Sequence, residues 1–168
     1  MQSMVLTVIG KDKVGLINEI SACVEECGGN WLKSSFCHLA GQFAGFVEVE
    51  LSDVHCNKLI TQCQQLEDLQ ITLVPSVPSE VESLKPIHLI VTGNDRKGIV
   101  SQITTTLKRF DVNIQEMYTS RESAPNWGNL IFTAKILASC APAIEAIDLK
   151  DAIEQLADDL MVETESQS

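Results

Sequence analysis

The chain has 168 residues, of which 45% are hydrophobic and 21% charged, and its formal net charge is −11. That is enough apolar residue for a buried core and too little charge for a disordered chain, while 4 basic against 11 acidic residues up to Leu84, and 8 against 12 after it, leave no basic face able to neutralise several phosphates, so direct nucleic-acid binding is disfavoured. No apolar run reaches transmembrane length, and MQSMVLTVIG lacks a basic n-region and a small-residue cleavage site, so a soluble, cytoplasmic protein without a membrane partner is expected.

Taken in chain order, Met4–Ile9 is an apolar strand. Leu16, Ile20, Cys23, Val24 and Cys27 then fall on one helical stripe between Gly15 and Cys27, and Gly28-Gly29 ends that helix. Trp31–His38 is a second strand. A tight turn at Ala40-Gly41-Gln42 leads into Phe43–Leu51, where Phe43, Gly45, Val47, Val49 and Leu51 alternate with Glu48 and Glu50, giving one buried and one wet face. His55–Leu66 is a second helix and Leu69–Val74 a last strand, closed by Pro75.

The second half repeats this order. Ile87–Thr92 is a strand, Ile99–Phe110 a helix, Val112–Ser120 a strand and Leu130–Leu137 its pair. Leu149, Ile153, Leu156 and Leu160 mark a helix over Leu149–Leu160, and a short strand near Met161–Glu163 closes the copy. Three prolines, with serines and acids, make Pro75–Pro86 a linker. Domains are therefore expected at residues 1–75 and 87–165, joined by residues 76–86.

The two halves share residues as well as order. At an offset of 83 positions, Leu6 and Leu89, Val8 and Val91, Gly10 and Gly93, Asp12 and Asp95, Gly15 and Gly98, Ile20 and Ile103, and Asn30 and Asn113 are identical. These fall at the structural punctuation, as a duplication would place them. Strand-helix-strand-strand-helix-strand predicts an α+β protein of two ferredoxin-like βαββαβ modules in tandem. Each sheet would carry its helices on one face and leave the other bare, so self-association into a homo-oligomer is expected.

Val8–Ile20 (VIGKDKVGLINEI) and Val91–Ile103 (VTGNDRKGIVSQI) resemble the opening of ACT domains, ligand-sensing modules that are often specific for amino acids. Gly28-Gly29-Asn30-Trp31 and Asp111-Val112-Asn113-Ile114 fill the family's following G-x-N-I slot. Copy one departs from it at Trp31, and copy two lacks the helix-ending glycine. The arrangement is similar to the glycine cleavage system transcriptional repressor group. That resemblance implies an accessory regulator without its own DNA-binding domain, acting by contact with a partner transcription factor. Its ligand would be a small amino acid, with glycine a candidate. The alternatives are a ligand-independent interaction scaffold and a regulatory subunit of an amino-acid metabolic enzyme.

A ligand carboxylate would sit on the first helical N–H groups, which have no partner within the helix and carry the positive end of its dipole. Those groups lie near Val14, Gly15 and Leu16 in copy one and near Lys97, Gly98 and Ile99 in copy two. Asp12 and Asp95 would meet an α-amino group, and Asn30 and Asn113 would add amide contacts, across an interface between modules or subunits. Each residue also has a purely architectural reading. The aspartates would be N-caps, the glycines would allow close helix–sheet packing, and the asparagines would tolerate turn conformations.

No catalytic role, cofactor or metal is expected. The six cysteines (Cys23, Cys27, Cys37, Cys56, Cys63, Cys140) form no CxxC pair, and most continue apolar stripes as small buried side chains. Cys37 and His38 are neighbours in a strand and point to opposite faces. Asp158-Asp159 and Glu25-Glu26 read as solvated helix faces, and Glu163–Ser168 as a frayed tail. Trp127, in the longer hairpin of copy two, reads either as a partner contact or as packing on its own sheet.

Overall fold

A computed structural model describes residues 2–66, 69–77, 84–123 and 129–165. Trp127 and most of the expected linker lie outside them. The chain divides into two compact units, Met1–Ser79 and Glu80–Ser168. The first contains β1 (Gln2–Lys11), α1 (Leu16–Glu26), β2 (Asn30–Leu39), β3 (Gln42–Leu51), α2 (Asp53–Cys63) and β4 (Leu69–Pro75). The second contains β5 (Lys85–Asn94), α3 (Ile99–Arg109), β6 (Asn113–Ser123), β7 (Leu130–Cys140), α4 (Ala146–Glu154) and β8 (Met161–Glu165). Both units are βαββαβ, each with a four-stranded antiparallel sheet, in the orders β2-β3-β1-β4 and β6-β7-β5-β8.

Alternation along the strands builds each core. Met4, Leu6 and Val8 of β1, with Phe43, Val47, Val49 and Leu51 of β3, are buried with Leu16, Ile20 and Val24 of α1 and Leu59 and Cys63 of α2. Ile87, Leu89 and Val91 of β5 do the same in the second unit, with Ile99, Ile103 and Leu107 of α3 and Leu149 and Ile153 of α4. The intervening residues of the first sheet, among them Val5, Thr7, Ile9, Ala44 and Phe46, occupy its other face, where Phe46 is 58% exposed.

The repeat extends to irregular features. Each second strand has a register shift at the same place, between Trp31 and Lys33 and between Ile114 and Glu116. The bulged residues Leu32 and Gln115 are 83 apart, and each bulge bends an edge strand. Both first helices also end alike. Gly28 is left-handed (φ +66°) and donates its N–H to Glu25 O at 2.8 Å, while Gly29 donates to Val24 O at 2.9 Å. In the second unit Asp111 takes the left-handed place (φ +55°) and donates to Lys108 O at 3.0 Å, and Val112 donates to Leu107 O at 3.2 Å. This is the Schellman arrangement, so the glycine missing from copy two is replaced by an aspartate in the same conformation.

Three expectations fail. The second helix of the first unit stops at Cys63 rather than Leu66, and the last helix stops at Glu154 rather than Leu160. Leu156 and Leu160 lie in the turns that follow, Leu160 still buried. The end of the chain is not frayed through Glu163–Glu165, which pair with β5 as part of β8; residues 166–168 lie outside the described ones.

Candidate functional site

In each unit the turn after the first strand lies at the sheet end that also carries the β2–β3 or β6–β7 connection. Lys11 pairs with Gln42, and Asn94 with Ile131. Three contacts fix this turn, and all three recur. The Asp12 N–H donates to Gly41 O at 3.1 Å, and the Asp95 N–H to Leu130 O at 2.8 Å. The Asp12 carboxylate meets His38 Nε2 at 3.5 Å, and the Asp95 carboxylate meets Arg121 Nη1 at 3.3 Å. Lys13 Nζ sits 3.0 Å from Glu19 Oε2, and Arg96 Nη2 donates to Gln102 Oε1 at 3.0 Å. His38 and Arg121, Lys13 and Arg96, and Glu19 and Gln102 are each 83 apart. In G-x-D-[KR]-x-G, the acid thus reaches back to the second strand and the base reaches forward to the fourth residue of the helix.

These contacts correct the architectural readings. Neither aspartate is an N-cap: Gly15 and Gly98 hold that position, with no side-chain cap on either helix among the described residues. The glycines do not serve close packing either, since a Cβ on either would meet no described atom within 4 Å. They are required because the chain turns into the helix through φ +95° and +84°, a conformation costly to other residues.

Asp12, Val14, Gly15 and Leu16 come together at this turn, as do Asp95, Lys97, Gly98 and Ile99. Val14 and Lys97 are exposed, whereas the Leu16 and Ile99 side chains are in the core and bring only their backbone N–H groups. Asn30 and Asn113 are not brought to the turn of their own unit. They start β2 and β6, where Asn30 pairs with Glu50 and Asn113 with Ser139. That is the opposite end of the same sheet, about 26 Å away at eight strand residues of about 3.3 Å each. Both asparagines are exposed.

The second unit has a further tie. Asp159 Oδ2 accepts the Asn94 N–H at 2.8 Å, and Arg96 Nη1 lies 3.7 Å from Asp159 Oδ1. Asp159 follows α4 instead of lying on a solvated helix face. The Asn94 N–H, with help from Arg96, holds its carboxyl below the ordinary carboxylate value. Folding then favours the ionised form, so the stabilisation is complete above the ordinary carboxylate range and is lost as pH falls through the lowered value. Asp159→Ala is expected to lower the midpoint of the second unit at neutral pH. In urea melts between about pH 7 and about pH 2, that gap should close with acid; a constant gap would assign the loss to packing.

Cys27, Cys63 and Cys140 are buried, Cys23 and Cys56 half-buried, and Cys37 exposed. Burial pushes the Cys63 thiol up to about 12 and raises Cys23, Cys27 and Cys140 as well. Sequence reasoning missed His38, Arg121 and Asp159. The first two were within reach, because the offset of 83 that aligns the aspartates also aligns these two basic residues.

Comparison with known proteins gives the turn its context. Residues 2–74 match the ACT domain family. A protein from Galdieria sulphuraria, whose name states no function, is 24% identical with TM-score 0.85, over 99% of both chains. A candidate glycine cleavage system transcriptional repressor is 18% identical with TM-score 0.71, over 99% of this chain and 98% of its own. Identities this low establish a shared fold alone. No curated protein matches the chain. Among the described residues no helix is long and apolar enough to cross a membrane.

Proposed function

With an ACT domain as its first unit and a second built on the same plan, the chain, we propose, is an amino-acid-sensing accessory regulator that acts through protein contact. The resemblance of the tandem arrangement opened by Val8–Ile20 and Val91–Ile103 to the repressor group supports a partner transcription factor as the protein contacted. The observation that carries the sensing reading is the pair of turns: helix starts without a side-chain cap, entered through a glycine with open space above it, and braced by the same three contacts in both units.

An amino acid's carboxylate suits such a helix start. Lys97, exposed in the second turn where Val14 stands in the first, adds a positive charge there, so an acid would favour the second unit. The ligand ammonium would compete with His38 or Arg121 for the aspartate. A ligand bound at this turn shifts regulation only by binding one state of the partner interface better than another.

Thermal-shift measurement against the twenty amino acids, glycine and serine included, tests this. At a concentration about 100-fold above Kd, a bound amino acid stabilises by about 2.7 kcal/mol, about 10–20 °C for domains of this size. Gly98→Ala or Gly15→Ala should reduce the shift when the bound turn is the one altered. Absence of a shift with all twenty would remove the sensing reading and leave a ligand-independent scaffold.

A further inference from the structure

We propose that His38 and Arg121 are positioning residues that set the ligand turn: each draws the motif aspartate onto the second strand of its unit and fixes the path of the chain into the helix. The assignment rests on the turn being the ligand site. It goes beyond that reading by naming two residues outside the G-x-D-x-x-G stretch and by giving the aspartate a partner within the unliganded turn.

The acid and base are 26 residues apart in both units, from Asp12 to His38 and from Asp95 to Arg121. His38 pairs across the sheet with Phe43, and Arg121 with Phe132. Phe43 and Phe132 are both buried, so each basic side chain leaves its strand on the helix-bearing face, the side on which the turn lies. An isolated surface contact of this kind is weak, yet the carboxylate contact recurs at the same register in two copies that have diverged at most other positions.

The backbone shows why such a brace is useful. The turn must enter the helix through a left-handed glycine, and glycine has much conformational freedom to lose. One backbone bond, from Asp12 to Gly41 or from Asp95 to Leu130, fixes only one point of it. The carboxylate contact fixes a second point on another strand, and the following base a third on the helix. Because the carboxylate is turned to the strand, it does not cap its own helix, which accords with both N-caps being glycines without a side-chain bond.

Hydrogen exchange on the full-length chain tests the proposal without any ligand, so a failed amino-acid screen and a failed brace are separate results. Arg121→Gln and Asp95→Asn should each speed exchange at the hydrogen-bonded amides of the turn, Asp95 and Ile99, by about two- to fivefold, the range of an exposed ion pair. The double variant should exchange no faster than either single one. Exchange in the buried middle of β7 serves as the folding control and should not change. In the first unit, His38→Leu should speed exchange at the Asp12 amide and His38→Arg should leave it protected, since arginine already does this work in the second unit. Unchanged exchange in the single variants, multiplied effects in the double variant, or equal loosening by leucine and arginine at position 38 would overturn the assignment.

Discussion

Gly45→Ala is expected to destabilise the first unit by about 2–3 kcal/mol, the upper range for overpacking. Gly45 faces the helices from the middle of β3, with Phe36 directly across on β2. A Cβ at this position would run into the Phe36 ring and come within 2.6 Å of Ser35 O. The ring has little room to retreat, because it stacks on Phe43 at 5.2 Å between centroids and meets Trp31 at 6.1 Å. The second unit solves the same position differently: Ala134 is opposite Val91 as Gly45 is opposite Val8, and its partner on β6 is Thr119. Small-with-large in one copy thus corresponds to medium-with-medium in the other. Importing the second solution, as Gly45→Ala with Phe36→Thr, should cost clearly less than the sum of the two single changes. Urea melts of the four proteins measure this, and strict additivity would show that the ring is not what excludes the methyl group.

Such compensations explain what the sequence made legible. Periodicity and the offset of 83 reveal element order, the duplication and the turn that carries the candidate site, because those signals are local or repeat. Leu156 and Leu160 continue the stripe of Leu149 and Ile153 in spacing, but the chain leaves the helix after Glu154. The turn is held by Lys150 Nζ donating to Val162 O at 3.0 Å and by the Val162 N–H donating to Glu154 Oε1 at 2.9 Å. A core accepts a leucine from a turn as readily as from a helix, so the stripe could not show where the helix ends. Asp159 beside Asp158 resembles a wet surface in sequence; its role depends on β5 passing close by, where a Cβ on Gly93 would lie 3.2 Å from Asp159 O. Asn30 and Asn113 follow the family pattern in sequence, yet the sheet carries them to the far end from the turn. Spacing along the chain contains no information about which end of a strand a residue occupies until the strand order is known.

Duplication also predicts unequal energies at equivalent places, and Ile153→Ala should be among the most damaging changes in the molecule. Leu59 and Cys63 of α2 correspond to Leu149 and Ile153 of α4, each pair four residues apart and fully buried. Truncating Ile153 removes three carbons from a site with no solvent access and is expected to cost about 2–5 kcal/mol. Cys63→Ala removes only one sulfur atom, comparable to a methylene, and should cost about 1 kcal/mol. Cys63→Ser should cost more than Cys63→Ala despite its closer shape, because the hydroxyl would be withdrawn from water into a cluster of Leu59, Val24 and Cys23, where the Cys23 thiol is a weak partner for it. The thiol itself behaves as a small hydrophobe here: burial pushes it up to about 12, so it stays protonated and poorly nucleophilic at neutral pH. Alkylation of the folded chain should therefore spare Cys63 while modifying exposed Cys37. If Cys63 were modified as fast as Cys37, or if Ser were better tolerated than Ala, position 63 would be open to solvent and the first unit's second helix would not be packed as its counterpart is.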